Sequence, residues 1–273
     1  MSKYSEGKQA VTIEKIKKKK AAGEKVAVVT CYDSAFARLI NQTDMDMVLV
    51  GDSLGNVILG MENTIPVTVE HMIHHCRAVA NVLTKPFLVV DMPFGSYQVS
   101  PEQSVANAIR LVQEGGAQAV KLEGGDPVIP ATRAIVDAGI PVVSHLGLTP
   151  QSVHAMSGYK VQGKDDRGAQ EMIRQAVALE KAGASMLVLE LVPRQLTKEI
   201  SKALSIPTIG IGAGPDADGQ VLVLHDLLGF EEGFKPKFLK CYANMGKAVK
   251  DALGSYVSDV KEGAFPKDEH SFH

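Results

Sequence analysis

Short apolar runs recur along the whole chain, and polar or mixed segments separate them. The eight runs, which are rich in Val, Ile and Leu, cover residues 26–30, 47–50, 86–90, 119–122, 141–144, 185–189, 207–211 and 220–224. Continuous apolar runs of this length are typical of parallel strands that are buried on both faces. Most of the intervening segments carry apolar residues at helical spacing, so the order predicts repeated βα units. Eight such units predict an α/β fold of the closed (β/α)8 TIM-barrel type.

Several of the intervening segments also carry helix boundary signals. Residues 67–80 have apolar side chains at helical spacing. Ser100 followed by Pro101 is the pattern of an N-cap and a first helical turn, and Gly115 would end that helix. Residues 168–181 read as another helix, closed by a glycine two residues later. These signals predict helices in the positions that a barrel requires.

Length and composition favour one domain. The chain has 273 residues, and a typical barrel of this type has roughly 250. Hydrophobic residues make up 45% of the chain and aromatic residues only 5%, which suits an α/β protein packed from small aliphatic side chains. We therefore expect a single barrel domain over residues 1–273, with residues 1–24 as an N-terminal helical extension.

Charge and cysteine content exclude several classes of protein. The formal charge of -2 gives no general attraction to nucleic acid or to anionic membranes. The one basic run, residues 15–20, lies in an amphipathic segment and predicts a solvated helix face more than a phosphate-binding patch. Three cysteines without a CxxC pair argue against disulfides and zinc, and we find no signal-peptide core or membrane-length apolar run. These features predict a cytoplasmic, soluble protein.

Four acidic residues lie at the carboxyl ends of predicted strands. Asp52, Asp91 and Glu123 follow strands two, three and four, and Glu190 follows strand six. Adjacent strands of a barrel are neighbours, so the first three acids should converge and repel one another unless a cation neutralises them. Oxygen-only ligation favours Mg2+. The alternative for each acid is a helix cap or an ion pair with Lys or Arg.

Three further residues have more than one possible role. Lys121 lies two residues before Glu123, so it should share its face; it could bind a substrate carboxylate, form an ion pair with an acid, or form a Schiff base. His145 follows strand five and is either a donor to an oxyanion or a structural histidine. Glu190 is flanked by leucines and a valine, which would raise its pKa and suit a general base, although a cap or salt bridge is the alternative.

Two kinds of connection also lie at the predicted barrel mouth. The segment 147–163, after strand five, is rich in Gly and polar residues and could cover a substrate. The glycine-rich segment 210–214 has the position of a phosphate loop in a barrel, but it departs from the spacing GxGxxG. A tight turn with positive φ is the alternative explanation for these glycines.

Long stretches of the chain resemble the ketopantoate hydroxymethyltransferase family. The similar segments keep the same order along the chain and are TCYD at 30–33, VGDSLG at 50–55, PVT at 66–68, DMPF at 91–94, KLEGG at 121–125, GIPVVSHLGLTPQ at 139–151, GYKVQG at 158–163, IGIGAG at 209–214 and EHSFH at 269–273. So many ordered matches are specific, and only about the first twenty residues fall outside the similarity.

The resemblance implies a fold, a reaction and roles for particular residues. The family is a (β/α)8 barrel that assembles as a homodecamer, with Mg2+, 5,10-methylenetetrahydrofolate and 3-methyl-2-oxobutanoate as ligands, and it forms ketopantoate for pantothenate and coenzyme A synthesis. Transferred to matching positions, Asp52 and Asp91 resemble direct metal ligands and keto-acid contacts, and Glu123 resembles a third metal contact. Ser53 and Lys121 resemble keto-acid contacts, and Glu190 resembles the proton acceptor. The phosphate interpretation of 210–214 loses support, since neither substrate needs such a site.

Two rival functions remain to be weighed on the sequence. The phosphoenolpyruvate mutase and isocitrate lyase superfamily also binds Mg2+ and keto acids at a barrel mouth, but its lyases usually carry a KKCGH motif that this chain lacks. A non-catalytic barrel that serves in binding or assembly should lack a metal acid or the base, and none is missing here. We therefore expect an enzyme with small-molecule substrates.

Overall fold

The predicted (β/α)8 TIM barrel is confirmed. The structure, a computed structural model, describes residues 10–155, 158, 160–231, 233 and 236–273. Eight parallel strands pair in sequence order, and the eighth pairs with the first to close the barrel. The chain forms two compact units, Met1–Val223 and Leu224–His273, and all eight strands belong to the first. The single-domain assignment over 1–273 stays a prediction.

The strands match the predicted apolar runs to within a few residues. They are β1 (Val26–Thr30), β2 (Met47–Val50), β3 (Phe87–Asp91), β4 (Ala119–Glu123), β5 (Val142–Gly147), β6 (Met186–Glu190), β7 (Thr208–Ile211) and β8 (Gly219–Leu222). The main differences are at the carboxyl ends. There β3, β4 and β6 include their terminal acids, and β5 continues three residues beyond its apolar run, because the ladder of backbone hydrogen bonds continues through polar positions.

Helices connect the strands as the periodicity predicts. In the first unit they are α1 (Ile13–Ala22), α2 (Ser34–Ile40), α3 (Leu54–Val57), α4 (Val69–Ala80), α5 (Pro101–Gln113), α6 (Ile129–Asp137), α7 (Asp166–Lys181) and α8 (Arg194–Ala203). Ser100 caps α5 by accepting a hydrogen bond from the backbone N–H of Gln103, as its sequence pattern indicates. The helix predicted at 168–181 begins two residues earlier, where Asp165 provides the cap.

Helix α1 lies at the amino-terminal end of the barrel. Its Ile16 is fully buried in the same apolar cluster as residues from inside the barrel. Lys19 pairs with Asp46, just before β2, over 2.6 Å, and Lys20 pairs with Asp218, just before β8, over 2.8 Å. The basic run is therefore a helix face, but it is not solvated as predicted, because Lys19 and Lys20 are partly buried in these ion pairs. The opposite end of the barrel is left for the site. Residues 1–9 of the predicted extension lie outside the described residues.

The second unit contains helices α9 (Leu224–Leu227) and α10 (Met245–Glu262). Asn244 caps α10, since its side chain accepts from the backbone N–H of Lys247, and Gly263 ends the helix in the left-handed conformation. At 18 residues, α10 is the longest helix in the described part of the chain, and it mixes charged and apolar residues. Across the described residues, helices long and apolar enough to span a bilayer are absent.

Candidate active site

The three acids at adjacent strand ends lie buried at the carboxyl end of the barrel. Asp91 and Glu123 are the last residues of β3 and β4, and Asp52 lies two residues beyond β2. All three are almost completely buried. The backbone N–H of Asp52 donates to Oδ2 of Asp91 over 3.0 Å, which ties two of the strand ends together. The structure therefore brings these acids into one sector of the barrel mouth.

Lys121 lies among these acids, on the same face of β4 as Glu123. Its Nζ is 3.2 Å from Oδ1 of Asp91 and 3.4 Å from Oε1 of Glu123. Burial alone would lower the pKa of Lys121, but the charges of Asp91, Glu123 and Asp52 outweigh it and raise the pKa above its ordinary value. Lys121 is therefore a stable cation, which argues against the Schiff-base role.

One lysine does not balance three carboxylates. Burial would raise the pKa of Glu123, but Lys121 and His145 lower it to about 2. The pKa of Asp52, in contrast, is raised well above its usual value, first by burial and then by the charges of Asp91 and Glu123. Burial also raises the pKa of Asp91. The uncompensated negative charge is therefore centred on the two aspartates.

The acids also differ in the oxygens they leave for a ligand. Oδ1 of Asp91 is a buried oxygen without an aligned hydrogen-bond donor. Glu123 is better satisfied, because Oε1 lies near Lys121 and His145 and Oε2 accepts from the backbone N–H of Gln151. Among the residues that the structure describes, no group of three or more Asp, Glu, His or Cys side chains is arranged to hold a metal ion together. A cation held by fewer of these acids would take its remaining ligands from water or substrate, as Mg2+ usually does.

His145 lies within its strand, between two of the acids. We expected it at the strand end, but β5 continues to Gly147 in register with β6. Nδ1 is 3.4 Å from Oε1 of Glu123, and Nε2 is 3.3 Å from Oε2 of Glu190 but is not aligned for a hydrogen bond. Burial and Lys121 would lower the pKa of His145, but Glu123 and Glu190 raise it to about 9. Both acids therefore favour the protonated form of His145.

Glu190 ends β6, and its side chain is 20% exposed. From Leu189, Leu191 and Val192 we expected apolar surroundings, with a helix cap or a salt bridge as the alternative, and the structure shows a charged neighbour. Leu189 and Val192 are buried, but the carboxylate of Glu190 lies beside the ring of His145 on the neighbouring strand. Strand alternation is the physical reason, since the side chains of sequence neighbours lie on opposite faces.

The residue after Glu190 has an unusual backbone conformation. Leu191 has φ 46°, the left-handed region, which few residues other than glycine adopt. Its N–H donates to the carbonyl of Ile211 on β7, and its carbonyl accepts from the N–H of Gln162. Such strain persists where surrounding contacts enforce it, and it is frequent at functional sites. Here it ties the strand end that carries Glu190 to the end of the segment 147–163.

Ser53 begins the turn after β2, and a tyrosine that sequence reasoning left without a role holds its hydroxyl. The hydroxyl groups of Tyr32 and Ser53 are 2.8 Å apart, and the ring of Tyr32 is buried. Gly51 permits this packing, because a Cβ there would lie 2.8 Å from Oγ of Ser53. Its position in the sequence could have identified Tyr32 as a site residue. Tyr32 lies two residues beyond β1, just as Asp52 lies two residues beyond β2.

The two loop predictions have different outcomes. In the segment 210–214, Gly212 and Gly214 have φ of 63° and 80°, as the tight-turn interpretation requires. A Cβ on Gly214 would lie 3.0 Å from the side chain of Arg194. The segment 147–163, which we expected to cover a substrate, includes residues 156, 157 and 159, which lie outside the described residues. Its substrate-covering role stays a prediction.

Gly147 is the position at which the smallest substitution should disturb the site. It has φ 96°, and a Cβ there would lie 2.1 Å from the carbonyl oxygen of Glu190. Gly147→Ala should therefore displace the end of β6 and lower activity at least 100-fold, since misplacement of about 1 Å can cost that much. Steady-state kinetics and thermal unfolding will measure the effect. Gly139→Ala, whose φ is 85° but whose Cβ would meet no atom within 4 Å, is the control. Equal activity losses in both variants would contradict the steric explanation.

Sequence comparison relates the chain to one family. The family model described as ketopantoate hydroxymethyltransferase matches residues 10–268. A 3-methyl-2-oxobutanoate hydroxymethyltransferase of Syntrophotalea carbinolica is 55% identical over 96% of this chain and 98% of its own length. The protein of the same name from Geobacter sulfurreducens is 54% identical over 97% of this chain and 99% of its own length.

Solved structures of other enzymes share the fold at low sequence identity. A phosphonopyruvate hydrolase in complex with oxalate and Mg2+ has a TM-score of 0.60 at 13% identity, over 95% of this chain and 93% of that protein. A 2,3-dimethylmalate lyase of the PEP mutase and isocitrate lyase superfamily has a TM-score of 0.62 at 14% identity, over 97% of this chain and 90% of that protein. Likeness at this identity supports the barrel fold alone.

Proposed function

Since this chain belongs to the ketopantoate hydroxymethyltransferase family, we propose that it takes its one-carbon unit from 5,10-methylenetetrahydrofolate and depends on Mg2+. Its class is that of a 3-methyl-2-oxobutanoate hydroxymethyltransferase, which forms ketopantoate for pantothenate synthesis. The observation that carries the proposal is the buried group of three acids, Asp52, Asp91 and Glu123, which has only Lys121 and His145 as neighbouring cationic groups. Its excess negative charge requires a cation or protons, and the keto acid brings neither.

The donor set fits Mg2+. Asp52 and Asp91 would hold the ion, because both are buried acids of raised pKa and Oδ1 of Asp91 has no aligned donor. Glu123 would be a third, weaker contact, since Lys121, His145 and the N–H of Gln151 already engage its oxygens. When bound, Mg2+ would polarise the keto oxygen of the substrate and stabilise negative charge that develops there.

We propose five contacts for the keto acid. Two of them are Asp52 and Asp91, which with Glu123 form the proposed cation site, called the metal corner below. The other three are Ser53, Lys121 and His145. Lys121 has two acidic partners, and its 3.2 Å contact with Nδ1 of His145 joins two donors when the imidazole is protonated. Its Nζ donates a hydrogen bond to Glu123 but is not aligned for one to Oδ1 of Asp91, so an ammonium N–H can serve a substrate carboxylate. Nε2 of His145 is a buried donor without an aligned partner, so it can donate to a substrate oxygen.

Glu190 is the proposed base. Its carboxylate is partly exposed at a strand end, where a substrate could reach it, and Nε2 of His145 lies 3.3 Å from its Oε2. Glu190 would remove the C3 proton of 3-methyl-2-oxobutanoate, and C3 would form a bond to the methylene carbon of the folate. Both carbon–nitrogen bonds of that methylene group would break, water would supply the hydroxyl oxygen, and tetrahydrofolate would leave with the C3 proton and one proton of the water on its nitrogens.

The proposal predicts a specific catalytic requirement. Purified protein should form ketopantoate from 3-methyl-2-oxobutanoate and 5,10-methylenetetrahydrofolate when Mg2+ is present. Removal of divalent cations with EDTA should abolish the product, because Asp52 and Asp91 alone cannot polarise the keto oxygen, and added Mg2+ should restore it. Product formation can be followed by chromatography or mass spectrometry. Full activity in EDTA would refute the metal requirement, and activity with Mg2+ but without the folate would refute the donor.

We also propose that the enzyme works in the cytoplasm as a homodecamer. The family resemblance supports this assembly, and three free cysteines, of which Cys31 and Cys76 are buried, suit a reducing compartment. Partners other than small-molecule substrates and further copies of the chain are not expected. Sedimentation equilibrium of the full chain would measure the assembly.

A further inference from the structure

Gln151 connects the segment after β5 to three neighbouring strand ends. It lies in a short turn of 3-10 helix at 150–152 and is 3% exposed. Its Nε2 donates to Oδ2 of Asp52 and to the carbonyl of Met92, each over 2.9 Å. Its backbone N–H donates to Oε2 of Glu123 over 3.1 Å. One residue thus contacts an acid beyond β2, the backbone after β3 and the acid that ends β4.

Tyr97 determines which way the amide of Gln151 is turned. The hydroxyl of Tyr97 is 2.6 Å from Oε1 of Gln151 and accepts from the backbone N–H of Glu123 over 3.1 Å. Asp52 and the Met92 carbonyl can only accept hydrogen bonds, so Nε2 must face them and Oε1 must face the tyrosine. Both N–H groups and the amide oxygen therefore have partners, and the side chain has one hydrogen-bonded orientation.

We propose that Gln151 is a positioning residue for cation binding, which holds Asp52 and Glu123 in the arrangement that receives Mg2+. The inference rests on the metal corner of the proposed function. Gln151 engages one oxygen of Asp52 and one of Glu123, both through N–H donors, and this limits the rotation of two carboxylates that would otherwise repel each other. Tyr97 contributes by holding the amide in place.

The physical consequence is a cost in cation affinity when the donor is lost. Without the amide, Asp52 has no fixed neutral donor and is free to rotate away from Asp91 and Glu123. Hydrogen-bond partners of metal-binding side chains typically contribute about 10- to 100-fold to metal affinity. Gln151→Ala should weaken binding of Mg2+ by that factor. Tyr97→Phe, which removes one hydroxyl, should weaken it about 2- to 10-fold, the range for one neutral hydrogen bond.

The experiment measures Mg2+ binding to the full chain by isothermal titration calorimetry, with Mn2+ binding by electron paramagnetic resonance as a second readout. Wild type, Gln151→Ala and Tyr97→Phe are compared after thermal unfolding has established that each is folded. Gln118→Ala is the matched control. Its side chain accepts from the backbone N–H of Leu88, at the start of β3 and away from the acids, so its cation affinity should equal that of wild type.

Each outcome decides the matter. Weaker binding in Gln151→Ala and, to a smaller degree, in Tyr97→Phe, with an unchanged Gln118→Ala, supports the inference. Wild-type cation affinity in both Gln151→Ala and Tyr97→Phe overturns the inference but leaves the proposed cation site itself unrefuted. Failure of wild type to bind either cation refutes the metal corner and the inference with it. Where Gln151→Ala does not fold, the affinity of Tyr97→Phe alone decides.

Discussion

Replacing Glu190 by glutamine should stop the exchange of the C3 hydrogen of 3-methyl-2-oxobutanoate with solvent deuterium. It should also lower the rate of ketopantoate formation about 100- to 10,000-fold, which is the usual contribution of a general base. Glutamine keeps the shape of the side chain but cannot accept a proton. Because Asp52, Asp91 and Lys121 are unchanged, binding of the keto acid should stay within a few-fold of wild type. Nuclear magnetic resonance in deuterium oxide measures the exchange, and calorimetry measures the binding.

Glu199→Gln is the control for this substitution. Glu199 lies exposed on α8, where it pairs with Gln195, so the same chemical change there should leave exchange and turnover unaltered. Exchange at the wild-type rate in Glu190→Gln would remove Glu190 from the proton transfer. Loss of keto-acid binding together with exchange would instead assign Glu190 to substrate binding.

Lys121→Met should destabilise the protein by about 3–5 kcal/mol, the usual cost of removing one partner from a buried ion pair. Lys121 is buried, and it is 3.2 Å from Asp91 and 3.4 Å from Glu123. Methionine fills a similar volume but leaves Asp91 without its lysine partner and Glu123 with His145 alone. Chemical denaturation in the presence of EDTA measures the change, so that added metal cannot compensate for the lost charge.

The destabilisation should depend on pH in a definite direction. In wild type, the pKa of Glu123 is about 2 in the folded state, below the roughly 4.3 of an unfolded glutamate. Its ion pairing therefore stabilises the fold above about pH 4.3, and this contribution is lost as the pH falls towards 2. In Lys121→Met, protonation of the unpaired acids relieves their repulsion. The difference in free energy of unfolding between wild type and Lys121→Met should therefore be largest near neutral pH and should become smaller in acid.

Lys181→Met, an exposed position on α7, is the matched control and should change stability by no more than about 0.5 kcal/mol. A small, pH-independent effect of Lys121→Met would contradict the stabilising ion pairs of Lys121 with Asp91 and Glu123.

The fold was predictable because its signals are local. Apolar runs such as 47–50 and 186–189 follow from burial on both faces, and the cap at Ser100 depends on residues within one turn of the chain. Strand ends were less accurate. β5 extends through His145 to Gly147 because backbone hydrogen bonds to β4 and β6 maintain the strand, whatever the polarity of its side chains.

The sector of the site was predictable for a similar reason. Acids at the ends of adjacent parallel strands must share one end of a barrel, so Asp52, Asp91 and Glu123 could be grouped from strand order alone. The environment of Glu190 was not predictable in this way. Its sequence neighbours are apolar, whereas its nearest charged group is His145, on another strand.

By itself, the sequence determined the barrel, the sector that holds the acids and the shared face of Lys121 and Glu123, because periodicity and strand order decide these features. Only the tertiary structure decided which hydrogen-bond and ion-pair partners each charged side chain of the site has. The amide of Gln151 reaches Asp52 across 99 positions of sequence, and His145 lies between Glu123 and Glu190. Such contacts depend on barrel closure and on the course of a loop, which set distances that no local pattern encodes.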